Sequence, residues 1–189
     1  KYDSDGNELW RNIYGSSSDS EFVSIVEDNV GNYVMAGHHG ANAWGYVVDK
    51  IGSEVLSKTN GETNYRYQYE EVMINSAGNY VFIGETSGLH TGYCYTAGRS
   101  TYTQNIDSYF IEYDSEGTLV NSTKNNVYTY SSCTATSPGL LENQGQYLKI
   151  IEIEDGYIAI GKNRSAYNIY KLSTNGTIVK TIALGINST

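Results

Sequence analysis

The sequence predicts an all-β protein built from repeated four-stranded antiparallel units, and two observations support this prediction. The first is composition: the 189 residues include 19 Tyr and 20 Gly, while charged residues make up only 17%. Aromatic and β-branched residues between Gly and Asn favour short strands joined by tight turns, whereas long exposed helices need more Glu, Lys, Ala and Leu. The second observation is internal repetition, which indicates a fold made of similar units.

One repeated segment predicts a turn followed by a buried strand. It occurs as VGNYVMAG (30–37), AGNYVFIG (77–84) and EDGYIAIG (154–161). Each copy has a Gly-containing turn, a tyrosine and an apolar run that ends at a glycine. Consecutive apolar residues are typical of a strand that neighbouring sheets cover on both faces.

A second repeated segment predicts a tight hairpin and occurs four times. Its copies are KYDSDGNELW, VDKIGSEVLS, EYDSEGTLVN and KLSTNGTIVK, with turn glycines Gly6, Gly52, Gly117 and Gly176. The intervals between these glycines are 46, 65 and 59 residues. We attribute the excess over the shortest interval to two insertions.

The acidic DSDG of the first copy can be interpreted as a calcium-binding loop or as a turn. Calcium needs carboxylate and carbonyl oxygens, but the acids are absent from KIGS in the second copy and from STNG in the fourth. Gly6 also follows Asp5 directly, which breaks the EF-hand order. The shared feature is a glycine after small polar residues, which predicts a turn with a positive φ. No metal and no other cofactor is predicted.

Together the repeats predict one domain, 1–189, with units at about 20–60, 68–125 and 146–184. Each unit has four strands, A to D, and residues 1–14 are predicted to be strands C and D of an earlier unit. A four-stranded unit of about 40–50 residues corresponds to the blade of a β-propeller. The predicted fold is a β-propeller-like array of about three and a half blades. A β-sandwich or a solenoid is the alternative.

The repeats resemble those of the bacterial extracellular β-propeller repeat proteins, which run K-x-D-x-x-G-x-x-x-W and continue into a Gly-Tyr strand that ends in Gly. KYDSDGNELW and IYGSSSDSEFVSIVEDNVGNYVMAG fit this pattern. The later copies depart from it, because Val55, Thr118 and Thr177 lie near the position of the tryptophan. The resemblance implies an extracellular propeller fold and no catalytic residues.

The number of blades leaves the predicted array incomplete, because propellers close with about four to eight blades. Apolar faces at its ends therefore need to be covered. We interpret the chain as an excerpt of a longer propeller. The alternative is a protomer whose blades are completed by neighbouring chains, through strand addition or head-to-tail stacking.

The two insertions, 88–107 and 124–146, are predicted to be long loops on one face of the array, since B–C and D–A connections emerge on the same side. Long loops on a rigid scaffold often carry binding sites. Tyr93, Tyr95 and Tyr102 are therefore candidates for binding a glycan or a protein, or they only anchor the loop. Each insertion holds one of the two cysteines, Cys94 and Cys133. They are predicted to form a disulfide, with two free thiols as the alternative.

Four N-x-[ST] sequons begin at Asn121, Asn163, Asn175 and Asn187. In a secreted protein such sites accept N-linked glycans. With the predicted disulfide, they favour an extracellular or cell-surface location. Because the chain is rich in Asn, Ser and Thr, chance occurrence is the alternative.

Several function classes are disfavoured by the sequence. The net charge is −9 and no basic cluster is present, which argues against nucleic-acid binding. No apolar run reaches the roughly 18 residues of a membrane span. The sequence contains no G-x-S-x-G elbow, phosphate loop or H-E-x-x-H motif, so no catalytic residue is predicted.

The remaining candidate groups have simpler interpretations. His38, His39 and His90 follow strands B and could meet as metal ligands, but exposed loop histidines are the favoured interpretation. Adjacent Glu70 and Glu71 are expected on opposite faces of a strand, which makes them a poor acid–base pair.

Three alternating tyrosines precede this pair: Tyr65, Tyr67 and Tyr69 are expected to face one side of an extended segment. We interpret them as packing residues rather than as a ligand surface, because tyrosine is common in strands.

Three functional hypotheses follow. The first is a non-catalytic extracellular repeat module for binding, adhesion or surface display, with a protein, a glycan or another copy as partner. The second is a structural protomer of an extracellular filament or surface layer. The third is an enzyme with an unrecognised site among the long loops.

Overall fold

The computed structural model describes residues 1–15, 19–63, 65–94, 99–134, 147–163 and 166–187. For residues 87–94, 99–106, 126–134, 163, 186 and 187 it describes the backbone alone. Within these ranges the regular structure is entirely β, which confirms the predicted fold class. The described residues thus include no apolar helix of membrane-spanning length.

Twelve strands form three open antiparallel sheets of four strands, each in chain order. Sheet 1 contains β1 (Ser20–Glu27), β2 (Tyr33–His39), β3 (Asn42–Val48) and β4 (Glu54–Asn60). Sheet 2 contains β5 (Tyr65–Ile74), β6 (Tyr80–Cys94), β7 (Arg99–Tyr113) and β8 (Leu119–Thr134). Sheet 3 contains β9 (Tyr147–Ile153), β10 (Gly156–Asn163), β11 (Ala166–Leu172) and β12 (Ile178–Asn187). Each strand A to D predicted for the three full units corresponds to one of these strands.

The DSDG segment forms a turn, and the same turn recurs between strands. The φ angles of Gly6, Gly52, Gly117 and Gly176 lie between 82° and 86°. The first acid also has a role that the sequence pattern did not reveal. The carboxylate of Asp3 accepts hydrogen bonds from the backbone N–H groups of Asp5 at 3.0 Å and Asn7 at 2.8 Å. Asp3 therefore caps the backbone of a turn, as in other Asx turns.

The three sheets pack face to face in chain order. We define the front face of a sheet as the face toward the next sheet in the chain, and the back face as the opposite one. One core cluster joins the front of sheet 1 to the back of sheet 2, including Val34, Ala36, Tyr69 and Phe82. A second joins the front of sheet 2 to the back of sheet 3 and includes Ile83, Phe110, Tyr157 and Ala159. Sheet 2 is therefore covered on both faces, which explains its consecutive apolar residues.

The N-terminal residues form less regular structure than predicted. The predicted hairpin of residues 1–14 contains one antiparallel bridge, between Tyr2 and Glu8, and no strand. Trp10 and Tyr14 nevertheless pack on the back face of sheet 1 with Met35 and Tyr46. The indole N–H of Trp10 donates to the Lys50 carbonyl at 3.0 Å, and the Tyr14 hydroxyl donates to the Gly52 carbonyl at 2.7 Å.

This segment occupies the place that a fourth strand takes elsewhere. Counted from the turn glycine of each unit, Tyr14 matches Asn125 of β8. Asn125 likewise donates to the carbonyl of the next turn glycine, Gly176, at 2.8 Å. Residues 10–14 therefore lie against sheet 1 as β8 lies against sheet 3.

Candidate binding surface

The described parts of the two insertions form strands, so their prediction as loops is wrong. Residues 88–94 pair with 99–105, and 100–106 pair with 128–134. The insertions therefore lengthen β6, β7 and β8 at one end of sheet 2, and we call this three-stranded part the extension. Their placement on the same side of the array is as predicted. Residues 95–98 and 135–146 lie outside the described residues.

The extension continues beyond the neighbouring sheet 1. The backbone N–H of Tyr67 donates to the carbonyl of Ala41, in the turn between β2 and β3, at 2.8 Å. Sheet 1 thus ends near the start of β5, where Tyr65 pairs with Gly88. The residues from Gly88 to Cys94 add about 20 Å of strand at the usual rise per residue.

The strand register places four tyrosine positions on one face of the extension. Tyr102 pairs with Thr91 and Ser132, and the neighbouring same-face position on β7, Ser100, pairs with Tyr93. Tyr128 and Tyr130 pair with Ile106 and Gln104 of the same β7 face. Positions 93, 102, 128 and 130 therefore share a face, because alternate residues of paired strands do. Tyr95 lies outside the described residues.

The sequence interpretation missed Tyr128 and Tyr130. Their signal is the alternation in NVYTYSS, which is the same pattern that singled out Tyr65, Tyr67 and Tyr69. It was passed over because the whole insertion was interpreted as a loop.

The base of the extension holds a lysine among tyrosines. The Lys124 ammonium contacts the Glu62 carboxylate and the Tyr67 hydroxyl. It also lies 5.0 Å from the ring centroid of Tyr67 and 5.8 Å from that of Tyr65, within the range of cation–π attraction. Partial burial favours the neutral amine, but the hydrogen bonds outweigh it and raise the pKa of Lys124. Lys124 thus links β8 to β5 at the end of sheet 2 where the extension begins.

The strand tyrosines are packing residues, as predicted. Tyr67 and Tyr69 are buried in the first core cluster, and Tyr65 packs against it. Tyr69 stacks on Phe82 with centroids 4.9 Å apart. The Asn60 amide donates to the hydroxyls of Tyr69 and Tyr113, each at 2.7 Å. The network satisfies polar groups that would be costly to bury alone.

A polar cluster lies below the extension, between sheets 1 and 2. The cluster includes His38, which is 6% exposed and belongs to β2. The interpretation of His38 as an exposed loop residue is therefore wrong. Nε2 of His38 lies 3.4 Å from the Asp19 carboxylate. Burial raises the pKa of Glu70, while a hydrogen bond from Gln68 at 2.6 Å and the electrostatic interaction with His38 oppose this effect.

The other candidate ligands and acids are not brought together. His39 is half-buried, with Nδ1 2.7 Å from the Ser20 hydroxyl, and the side chain of His90 is outside the described part. Glu71 contacts Lys149 of sheet 3, whereas Glu70 lies toward sheet 1, so the expectation that they face opposite sides is confirmed. Over the described ranges, no three His, Cys, Asp or Glu residues are grouped to hold a metal ion.

The cysteines lie on the outer two strands of the extension. Cys94 pairs with Arg99 and Cys133 pairs with Thr101, so β7 runs between them. Strands two apart in a sheet are separated by about 10 Å, more than the roughly 7 Å that a disulfide spans between Cα atoms. This register disfavours the predicted disulfide. Their side chains are outside the described part, and the pairing stays a prediction.

Two of the four sequons have described side chains. Asn121 is half-buried in β8, and its amide donates to Glu112 at 2.6 Å. Asn175 is exposed in a turn, where its side-chain oxygen accepts from the Ser173 hydroxyl at 2.6 Å. Asn163 and Asn187 end β10 and β12. Asn175 is therefore the more accessible of the two described acceptors.

No protein-family model matches the chain, and no curated protein sequence matches it significantly.

Proposed function

We propose that the chain is a non-catalytic extracellular module that binds a neutral glycan through the tyrosine face of the extension. The observation that carries this proposal is the register, which puts positions 93, 102, 128 and 130 on one face of a projecting sheet. Aromatic side chains of this kind stack on the apolar faces of sugar rings, and their hydroxyls bond to sugar hydroxyls.

The chemistry of the extension supports an uncharged ligand. The sequences around these tyrosines, HTGYCYTAGRSTYTQN and NVYTYSSCT, are rich in Ser, Thr, Gln and Asn and contain one arginine. The net charge of −9 disfavours polyanions such as nucleic acids and sulfated glycans. The sequons and the resemblance to extracellular repeat proteins support the extracellular location.

The test measures binding of the chain to immobilised neutral oligosaccharides that represent cellulose, chitin, mannan and starch. The variants Tyr102→Ser and Tyr130→Ser should each weaken binding by about 3- to 10-fold, which corresponds to the loss of one aromatic contact. Circular dichroism and thermal melting check that the sheet is intact.

A matched control is Tyr2→Ser, which removes an exposed tyrosine far from the extension. Tyr2 is 58% exposed, and its hydroxyl donates a hydrogen bond to Glu8 in the N-terminal turn region. Equal losses in the control and the extension variants would contradict the proposal, as would undiminished binding in both extension variants. Absence of binding to every neutral glycan would also overturn it.

A structural protomer of a filament or surface layer is the second candidate. The observation that favours it is at the ends of the sheet stack, where Ile25 and Ile151 are each 62% exposed. These two residues belong to sheets 1 and 3, and their exposure leads to the next inference.

A further inference from the structure

The front face of sheet 3 carries isoleucines and lysines, and no sheet in the described part of the chain covers it. Lys149 pairs with Ile160, and Lys171 pairs with Ile158 and Lys180, so these lysines share the face. Direct cross-strand partners connect Ile151 to Ile158, and Ile160 to Ile169 and then to Ile182. These five isoleucines therefore lie on one face and span all four strands. Ile151 is 62%, Ile182 48% and Ile160 42% exposed.

The same positions are covered in the other two sheets. Pairing within each sheet matches Ile160 to Ala36 of sheet 1 and Ile83 of sheet 2, and both are 0% exposed. At the other end of the stack, Ile25 on the back of sheet 1 matches Val72 and Ile150. These two are 3% and 6% exposed, whereas Ile25 is 62% exposed. Each end of the stack thus exposes positions that are interior elsewhere.

Another set of exposed apolar residues is unrelated to the ends of the stack. The third residue after each turn glycine is exposed in every unit, whether or not its sheet is covered. These residues are Leu9 at 57%, Val55 at 50%, Val120 at 46% and Val179 at 62%. Their exposure is a property of the repeat, whereas Ile160 and Ile25 are exposed only because no described sheet packs on their faces.

In the internal interfaces a large side chain on one sheet faces a small one on the other, and the side chains at the two free ends can be compared with this pattern. A Cβ added to Gly45 on the front of sheet 1 would lie 2.8 Å from Cζ of Phe82 on the back of sheet 2. In the next interface the large side chain is on the front, with Phe110, and the matched back residue is Ala159. At the free ends the corresponding residues are Ile169 and Met35, two side chains of intermediate size.

A polar contact also repeats across the interfaces. The Tyr80 hydroxyl donates to Asp28, in the turn after β1, at 2.8 Å. The matched Tyr157 hydroxyl accepts from Asn75, in the turn after β5, at 3.2 Å. At the free ends the Tyr33 hydroxyl is the matched tyrosine group, but Ile153 follows Glu152 at the position of Asp28 and Asn75. The nearby Asp155 carboxylate, in the turn after β9, accepts a hydrogen bond from Lys171 at 2.6 Å.

One segment stands in the way of such a contact. Residues 10–14 occupy the fourth-strand position on the back of sheet 1, where β12 of an incoming sheet 3 would lie. They are not part of a sheet, and beside them Phe22, Ser24, Ile25 and Met35 line an open groove. The segment therefore covers the outer half of this face and leaves the inner half open.

We propose that the chain associates head to tail, with the front of sheet 3 of one molecule docking on the back of sheet 1 of the next and displacing residues 1–14. The occupant of each exposed face is thus a second copy of this chain. Such a heterologous contact repeats, and it yields rings or fibres according to the rotation between neighbours. This inference does not depend on glycan binding.

The first test is sedimentation velocity of the whole chain over a wide range of concentration. The unmodified chain should form oligomers, and Ile160→Lys should weaken association by about 10- to 100-fold, as expected for burying a charge in place of isoleucine. The control is Val179→Lys, which changes a more exposed residue, 62% against 42% for Ile160, at the β-bulge of β12. A monomer at every concentration, or equal effects of both variants, would overturn the proposal.

The second test determines the orientation of the contact. In a background with Cys94→Ser and Cys133→Ser, two single variants, Ile151→Cys and Ile25→Cys, are prepared separately and then mixed under mild oxidation. Head-to-tail docking brings these positions together, as Val26 and Val72 meet in the first core cluster. Only the mixture should give a disulfide-linked dimer. A dimer from Ile151→Cys alone would show a face-to-face contact and contradict the proposal.

The third test concerns the covering segment. Tyr14→Phe removes its hydrogen bond to Gly52 with little loss of packing, and Trp10→Ala loosens it further; both should strengthen association. Arg11→Ala is the control, since Arg11 is 72% exposed and bonds only within the segment, to Glu8. Unchanged or weaker association in both variants would refute displacement of residues 1–14.

Discussion

The two internal interfaces of the molecule are built at the same positions from different residues. Between sheets 1 and 2 the paired positions hold Gly45 and Phe82, whereas between sheets 2 and 3 they hold Phe110 and Ala159. The polar contact differs in a similar way. The first interface has Asp28 in the turn and Val47 on the third strand, while the second has Asn75 and Glu112 at the matched positions.

The difference shows what this repeat requires. Each interface has one large and one small side chain at the paired positions. Each also has acidic groups near the tyrosine hydroxyl: Asp28 in the first interface, and Glu112 with Glu152 in the second. The large side chain is on the later sheet in the first interface and on the earlier sheet in the second. The buried or half-buried carboxylate is in the turn in the first interface and on the third strand in the second. Since interiors are close-packed and buried charges need partners, the constrained quantities are the total volume at the paired positions and the pairing of each buried carboxylate. Substitutions that change one member of a pair should therefore cost more than paired exchanges.

The largest effect is expected for Phe82→Ala. Phe82 is 2% exposed, stacks on Tyr69 and fills the space above Gly45, so its loss leaves a cavity that glycine cannot fill. The free energy of unfolding should fall by about 3–5 kcal/mol. Urea denaturation followed by tyrosine fluorescence measures this change. A loss below about 1 kcal/mol would mean that sheets 1 and 2 do not pack as described.

Gly45→Ala is expected to destabilise by a smaller amount. The added methyl would meet the Phe82 ring at 2.8 Å and force it to move, at a cost of about 1–3 kcal/mol. In the Phe82→Ala background the same substitution should be neutral or stabilising, because it fills part of the cavity. A double-mutant cycle measures the coupling. Additive effects would show that these two positions do not meet.

The strands were predictable because their signals are local. Tyr33, Tyr80 and Tyr157 each follow a turn with characteristic residues and precede an apolar run, and all three begin or nearly begin a strand. The strands of the extension were not predicted because their signal is not local. Its residues are mostly Ser, Thr, Asn and Tyr, so apolar alternation is absent, and the strand character comes from pairing among three long segments.

Features that depend on contacts between units could not be derived from the pattern. His38 follows the glycine that ends an apolar run, where a loop was expected, but β2 continues through it and sheet 2 covers it. The exchange between Gly45–Phe82 and Phe110–Ala159 is equally invisible in one unit. It appears only when the faces that meet are known, because close packing acts between sheets rather than along the chain.

Asn75→Asp tests whether the second interface accepts a further carboxylate beside Glu112. Glu112 is 4% exposed and accepts hydrogen bonds from Asn75 and Asn79, each at 2.8 Å. A second carboxylate beside it should reduce the free energy of unfolding by about 1–3 kcal/mol at neutral pH. The double variant Asn75→Asp with Glu112→Val rebuilds the arrangement of the first interface and should recover most of this loss. Urea denaturation of the two single variants and the double variant measures the recovery, and a double variant as unstable as the worse single one would contradict the comparison.

Asp28→Asn should have the smallest effect and should act mainly on pH dependence. Partial burial opposes ionisation of Asp28, but hydrogen bonds from Asn32, Tyr80 and Val30 outweigh it and lower its pKa from the ordinary 3.8. A carboxyl whose pKa is lower in the folded state contributes stability that is present above the unfolded value and lost as pH falls through the folded value. The variant should therefore show a shallower loss of stability in acid, measured by urea denaturation from about pH 3 to about pH 7. At neutral pH the loss should be only about 1 kcal/mol, because an amide at the matched position, Asn75, already bonds to the Tyr157 hydroxyl. An unchanged acid limb would show that Asp28 does not contribute to it.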